Sequence, residues 1–177
     1  DFVQTMDGNS LRFLQETWEE GGGTDPEGRP GSGEENISSF GAVWPLELLT
    51  CGTDPDLTGR LGQGSDMQAL ALPTPVPSLC GVRVHSVAAA PHHTLVLTEA
   101  GAVLSFGHNG HGQLGLGDQN GRDVPVEVGP GRLGGAIIVY AAAGAFHSGV
   151  VTSDGGVWTW GCGSEGRLGH NDGQDQP

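Results

Sequence analysis

Apolar residues in this chain come in short runs separated by turn residues. Between residues 82 and 161 the runs are "VRVHSVAA", "HTLVLT", "AVLSFG", "VPVEV", "AIIVYAAA", "HSGVVTS" and "GVWTWG". They are too short for packed helices, rich in Val, Ile, Thr and aromatics, and bounded by Gly, Pro and Asp, so they predict strands. "VPVEV" alternates, as a strand with one wet face does. "TLVL" and "AIIVYAAA" are apolar at both parities, which predicts strands covered on both faces. Asp154-Gly155 supplies a tight hairpin turn. The order of runs predicts one antiparallel four-stranded unit over 124–161 and another over 73–107, with residues 46–51 as the last strand of a preceding unit.

The runs repeat. "HTLVLTEAGAVLSFGHNGHGQLG" (93–115) aligns without a gap on "HSGVVTSDGGVWTWGCGSEGRLG" (147–169) at an offset of 54 residues. His93 meets His147, Phe106-Gly107 meets Trp160-Gly161, and Leu114-Gly115 meets Leu168-Gly169. A weaker copy, "LLTCGTDPDLTGRLGQG" (48–64), carries Cys51-Gly52 and Gly59-Arg60-Leu61-Gly62 at the same landmarks. A period of this size with four short strands per unit predicts a propeller blade.

An aromatic-Gly strand end followed by G-x-x-x-x-G-[QR]-L-G, with a His opening the preceding hairpin, resembles the regulator of chromosome condensation repeat. The resemblance covers about residues 46–177. It implies an all-β fold of β-propeller blades of four antiparallel strands, incomplete at about two to three blades. The repeat divisions are expected near 46–72, 73–124 and 125–177, within a region 41–177. In the earlier copy Ala90-Pro91 stands where Gly144 opens the hairpin of the next, which leaves that turn's geometry in question. Two to three blades do not close a ring, so completion by missing sequence or by another chain is expected. Both chain ends, Asp1 and "DGQDQP", read as cut, as in a piece of a larger protein.

Residues 1–40 break the pattern. They carry nine acids and two arginines and read as an acidic, Gly-rich, largely disordered extension, with a short helix over 10–20 capped by Ser10. The whole chain has a net charge of -14, 33 glycines and no lysine. Such a surface repels phosphate backbones, so no direct nucleic-acid binding is expected, while a basic protein partner fits. No apolar run is long enough for a membrane helix. Three unpatterned cysteines predict buried thiols in a reducing, intracellular compartment, cytoplasmic or nuclear.

Gly110-His111-Gly112-Gln113-Leu114-Gly115 spells the dinucleotide fingerprint G-x-G-x-x-G. No helix follows it, and its copies at 57–62 and 164–169 lose the first glycine. It is therefore a structural turn, and no cofactor is expected. His93 and His147 recur, which predicts a hydrogen-bonding role in a turn. Trp158 and Trp160 are expected in the blade core. No nucleophile motif appears, so no catalytic residue is assigned and the chain is not read as an enzyme. No tight Cys/His box exists, so no metal ligand is assigned either. What differs between copies lies on the loops 108–111, 118–123, 162–165 and 170–175. His108, His111, Arg122, Glu165 and His170 are the candidate interaction residues there. The sequence reading is a protein-interaction scaffold. The resemblance also implies two alternatives: nucleotide exchange on a small GTPase, or a non-catalytic propeller within a larger enzyme such as a ubiquitin ligase.

Overall fold

The computed structural model describes residues 3–6, 9–12, 48–129 and 131–177. Among these the regular structure is β apart from two single 3-10 turns. The strands are β1 (Val3–Met6), β2 (Asn9–Arg12), β3 (Leu49–Thr53), β4 (Ala69–Pro75), β5 (Val84–Ala89), β6 (His93–Thr98), β7 (Val103–Gly107), β8 (Arg122–Glu127), β9 (Ile138–Ala143), β10 (His147–Thr152) and β11 (Val157–Gly161). They form three antiparallel sheets in the orders β1-β2-β3-β4, β5-β6-β7-β8 and β9-β10-β11. These are successive blades of an incomplete β-propeller. The third has a single bridge, Gly161 to Gln176, where the second pairs Gly107 with Arg122.

The blades are phased one strand away from the sequence reading. The pattern predicts that "VPVEV" opens the unit 124–161, but β8 pairs with β7 and closes the preceding blade. In the same way β4, predicted to open the unit 73–107, pairs with β3. The long Gly-rich loop after each aromatic-Gly end folds back on itself, so the strand leaving the loop lies beside the strand entering it. At the N-terminus, Leu11 and Arg12 of β2 pair with Thr50 and Leu49 of β3. The helix expected to start at Ser10 does not start there; strand pairing outweighs a short, marginal helix. Residues 13–20 of that expected helix, and the linker to residue 47, lie outside the described residues.

The core lies between blades. Leu48, Val76, Leu79, Val84, Val96 and Phe106 pack the first blade on the second. Leu95, Leu97, Val103, Val128, Ile138, Val150 and Trp160 pack the second on the third. Val96 faces one way and its neighbours Leu95 and Leu97 the other, so β6 is buried at every position. This is why "TLVL" shows no alternation. β9 departs from the expectation of two covered faces: Ile138 is buried, while Val139 and Tyr140 are exposed. Trp160 is core at 7% exposure, but Trp158, expected beside it, is 42% exposed.

The glycine ending each G-x-L-G element explains how the blades fit. Gly115 has φ +71°, and a Cβ there would sit 2.7 Å from the indole Nε1 of Trp160 in the next blade. Gly62 meets Phe106 in the same way, at 2.9 Å. Each blade thus presents a bare backbone to the aromatic ring of its successor.

Candidate functional site

The loops after β3, β7 and β11 gather at one end of the blades, together with the hairpin turns at 90–93 and 144–147. Both turns close with the same bond: Ala90 N–H donates to the His93 carbonyl (3.0 Å) and Gly144 N–H to the His147 carbonyl (2.8 Å). Ala90-Pro91 therefore keeps the turn geometry that the sequence left in question.

Beneath the loops runs a buried polar chain linking two blades. His93 Nε2 lies 2.7 Å from Ser148 Oγ, and Ser148 Oγ donates to the Gln113 carbonyl (2.7 Å). Trp160 Nε1 donates to that same carbonyl (2.8 Å). A Ser–His pair invites a catalytic reading, but the proton directions exclude it. The serine proton is committed to Gln113, so His93 Nε2 must be the donor toward Ser148, the reverse of general-base activation. Both side chains are fully buried. Burial, reinforced by His147, His92 and His108, pushes the His93 pKa down to about 3, so the ring is neutral. The recurring histidine is expected from sequence to tie its own turn; His93 instead ties its blade to the next. His147 has no such bond, and its Nδ1 is buried without a partner among the described residues.

Above this chain sits a ring cluster. His92 stacks on Phe146 (centroids 4.6 Å apart) and His111 meets Phe146 edge-on (5.4 Å). His108 lies 6.1 Å from His92. Burial, followed by repulsion from His108, lowers the His92 pKa. Of the five residues singled out from sequence, the structure gathers His108 and His111 here. His108 Nδ1 takes a bond from Gln113 Nε2 (3.0 Å). His111 Nδ1 lies 2.9 Å from Asp175 Oδ2, and this bond, with the Gly163 N–H, holds the Asp175 carboxyl below its ordinary range. The other three lie apart. Arg122 pairs with Asp118 at 2.7 Å. Glu165 projects into solvent, 3.4 Å from Arg167. His170 bonds the Thr159 hydroxyl.

Sequence reading missed Phe146 and Asp175 at this junction. It also missed the internal ties of each loop. Thr50, Ser105 and Thr159, at one repeat position, donate to the carbonyls of Leu61, Leu114 and Leu168 at 2.8, 2.8 and 2.7 Å. The hydroxyl-bearing residue one place before the aromatic or Cys of each strand end was the available signal. Asp54 performs a related task in the first loop. Burial alone would raise its pKa, but bonds from Thr58 and Gly59 with the Arg60 charge hold it low. Asn109 replaces it in the second loop, accepting from Leu114 N–H at 2.9 Å.

These ties rank two substitutions. Gly112 has φ +77°, and a Cβ there would overlap the backbone of Pro177. Gly112→Val is expected to cost about 2–4 kcal/mol, and His111→Ala about 1 kcal/mol or less, since its bond to Asp175 is partly exposed. Urea melts check the order; equal midpoints would refute it.

Known proteins share this architecture. A profile described as "Regulator of chromosome condensation (RCC1) repeat" matches residues 100–151, and a second matches 84–113 and 138–167. This part of the chain is built of RCC1 repeats. The chain is 43% identical over 113 residues to the mouse protein named "Probable E3 ubiquitin-protein ligase HERC4", covering 64% of this chain and 10% of that one. It is 42% identical over 110 residues to the RCC1 domain-containing protein RUG3 of Arabidopsis thaliana, covering 62% and 24%. Yeast RCC1 (Prp20), solved bound to Kap60, superposes with a TM-score of 0.64 at 21% identity, over 74% of this chain and 32% of that one. The chain thus spans a quarter or less of these curated relatives. No helix among the described residues is long and apolar enough to cross a membrane.

Proposed function

We propose that the chain is a non-catalytic interaction module, a set of propeller blades that presents variable loops to a protein partner. The supporting observation is a division of labour. Residues that recur between copies are used for packing or for internal hydrogen bonds: His93 on Ser148, Gly115 on Trp160, Ser105 on the Leu114 carbonyl. Residues that differ between copies, among them His108, His111, Glu165 and His170, lie on loops at the blade ends, and Arg122 stands at the first position of β8. Those loops and the start of β8 carry Asp56, Asp66, Asp118, Asp123, Glu165 and Asp172 against Arg60, Arg122 and Arg167, so the partner surface is read as basic. The relatives support the reading, since the match to the protein named "Probable E3 ubiquitin-protein ligase HERC4" covers only 10% of it. Residence in a reducing, intracellular compartment belongs to the same reading.

The alternative is nucleotide exchange. Yeast Prp20p, a solved protein with binding properties to Gsp1p and histones, shares the fold at 17% identity. A nucleotide-release assay with the 177-residue chain and a panel of small GTPases separates the two. Release rates equal to the intrinsic ones are expected. Acceleration of any member by about tenfold or more, a barrier change of about 1.4 kcal/mol, would replace the scaffold reading with the exchange reading.

A further inference from the structure

We propose that His111, Cys162 and Asp175 form a zinc site that staples the loop after β7 to the loop after β11. One ring nitrogen of His111, the Cys162 sulfur and an Asp175 carboxylate oxygen all lie within 4.8 Å of one another. Nitrogen, thiolate and carboxylate are the donor types of zinc, and its tetrahedral shell places such donors about 3–4 Å apart. Small side-chain rotations bring the three there, with a water as the fourth ligand.

The donors are already oriented by their surroundings. Gly163 N–H holds Asp175 Oδ1 at 2.9 Å, which turns Oδ2 toward His111. The His111 ring is set edge-on against Phe146, and its backbone N–H is fixed by Gln113 Oε1 at 3.0 Å. Cys162 is 5% exposed and anchored by its N–H on the Phe146 carbonyl, and its thiol contacts Ser164 Oγ at 3.4 Å and bonds the Asp175 carboxyl. Such outer contacts fix tautomer and ring angle in metal sites. The position matching Cys162 in the preceding copy is His108, whose Nδ1 is occupied by Gln113. The site therefore belongs to this one blade junction. The sequence shows no compact ligand box for such a site, because its residues come from two loops and stand 51 and 13 positions apart.

The test is a Co²⁺ titration of the metal-stripped 177-residue chain, followed by displacement with Zn²⁺. One equivalent is expected to bind, with a near-ultraviolet thiolate-to-cobalt band and the intense visible bands of tetrahedral cobalt. Cys162→Ser is expected to lose the thiolate band and Cys80→Ser to keep it. Asp175→Asn is expected to weaken affinity by about tenfold or more while the band remains. Absence of binding, weak octahedral bands, or a thiolate band that survives in Cys162→Ser would overturn the site. If Cys162→Ser does not fold, Asp175→Asn and mass-mapped alkylation decide. Zn²⁺ must then protect Cys162 and leave Cys80 reactive; an unprotected Cys162 overturns the proposal.

Discussion

Gly115→Ala is expected to destabilise the chain by about 2–5 kcal/mol, and Gly169→Ala by only about 1–2 kcal/mol. The two glycines occupy the same repeat position with nearly the same backbone, φ +71° and +75°. Left-handed strain on an added methyl is therefore the same in both. They differ in what stands before them. A Cβ at Gly115 meets the Trp160 indole at 2.7 and 2.8 Å, whereas nothing lies within 4 Å of one at Gly169. To admit the methyl, Trp160 must leave its pocket. That loosens the cluster with Leu95, Leu97 and Val150 and breaks the bond from Nε1 to the Gln113 carbonyl. The difference between the two variants isolates the blade-to-blade contact from the backbone cost. Urea unfolding of both, with matched m-values, measures it. Equal losses would mean that the aromatic-on-glycine contact contributes nothing beyond turn geometry.

The same contact shows what the sequence made legible. An aromatic-Gly and a G-x-L-G spaced at a fixed period announce the repeat, because backbone without a side chain and a large ring must recur together if blades are to stack. The burial of β6 on both faces is visible in "TLVL" for the same reason. The strand phase is not legible. "VPVEV" looks alike whether it opens one blade or closes another, and only the path of the intervening loop decides. The exposure of Tyr140 and Trp158 is hidden too, since an apolar strand signals a face built to be covered without saying that it is covered. At the site, His108 and His111 stand out by failing to recur. Phe146, Cys162 and Asp175 carry no local pattern; the turns of the third blade bring them together, and the packing of two blades sets His92 and His111 against them. A turn role for His93 is the wrong bond for the right residue type, because Ser148 lies 55 positions away.

The buried histidine also sets the response to acid. His93 has a pKa of about 3 in the folded chain against an ordinary value of 6.5. Between these values the unfolded chain binds a proton at this residue and the folded chain does not, so stability rises with pH across that window. The contribution is fully present above pH 6.5 and is lost as pH falls toward 3, on the order of 5 kcal/mol in all. His92, lowered by burial and by His108, acts in the same direction. The lowered carboxylates Asp54, Asp118, Asp154 and Asp175 act later, below their ordinary 3.8. The interval from about pH 6 to 5 is thus governed by histidine. His93→Gln keeps a donor toward Ser148 Oγ without a titrating group. It is expected to lower stability at pH 7 by about 1–3 kcal/mol through imperfect fit. It should also reduce the slope of stability against pH by close to one proton, about 1.4 kcal/mol per pH unit. Urea unfolding between about pH 5 and 7 reads this directly. A slope unchanged by the substitution would mean that His93 takes up its proton in the folded chain, and that the bond to Ser148 survives with the imidazolium as donor.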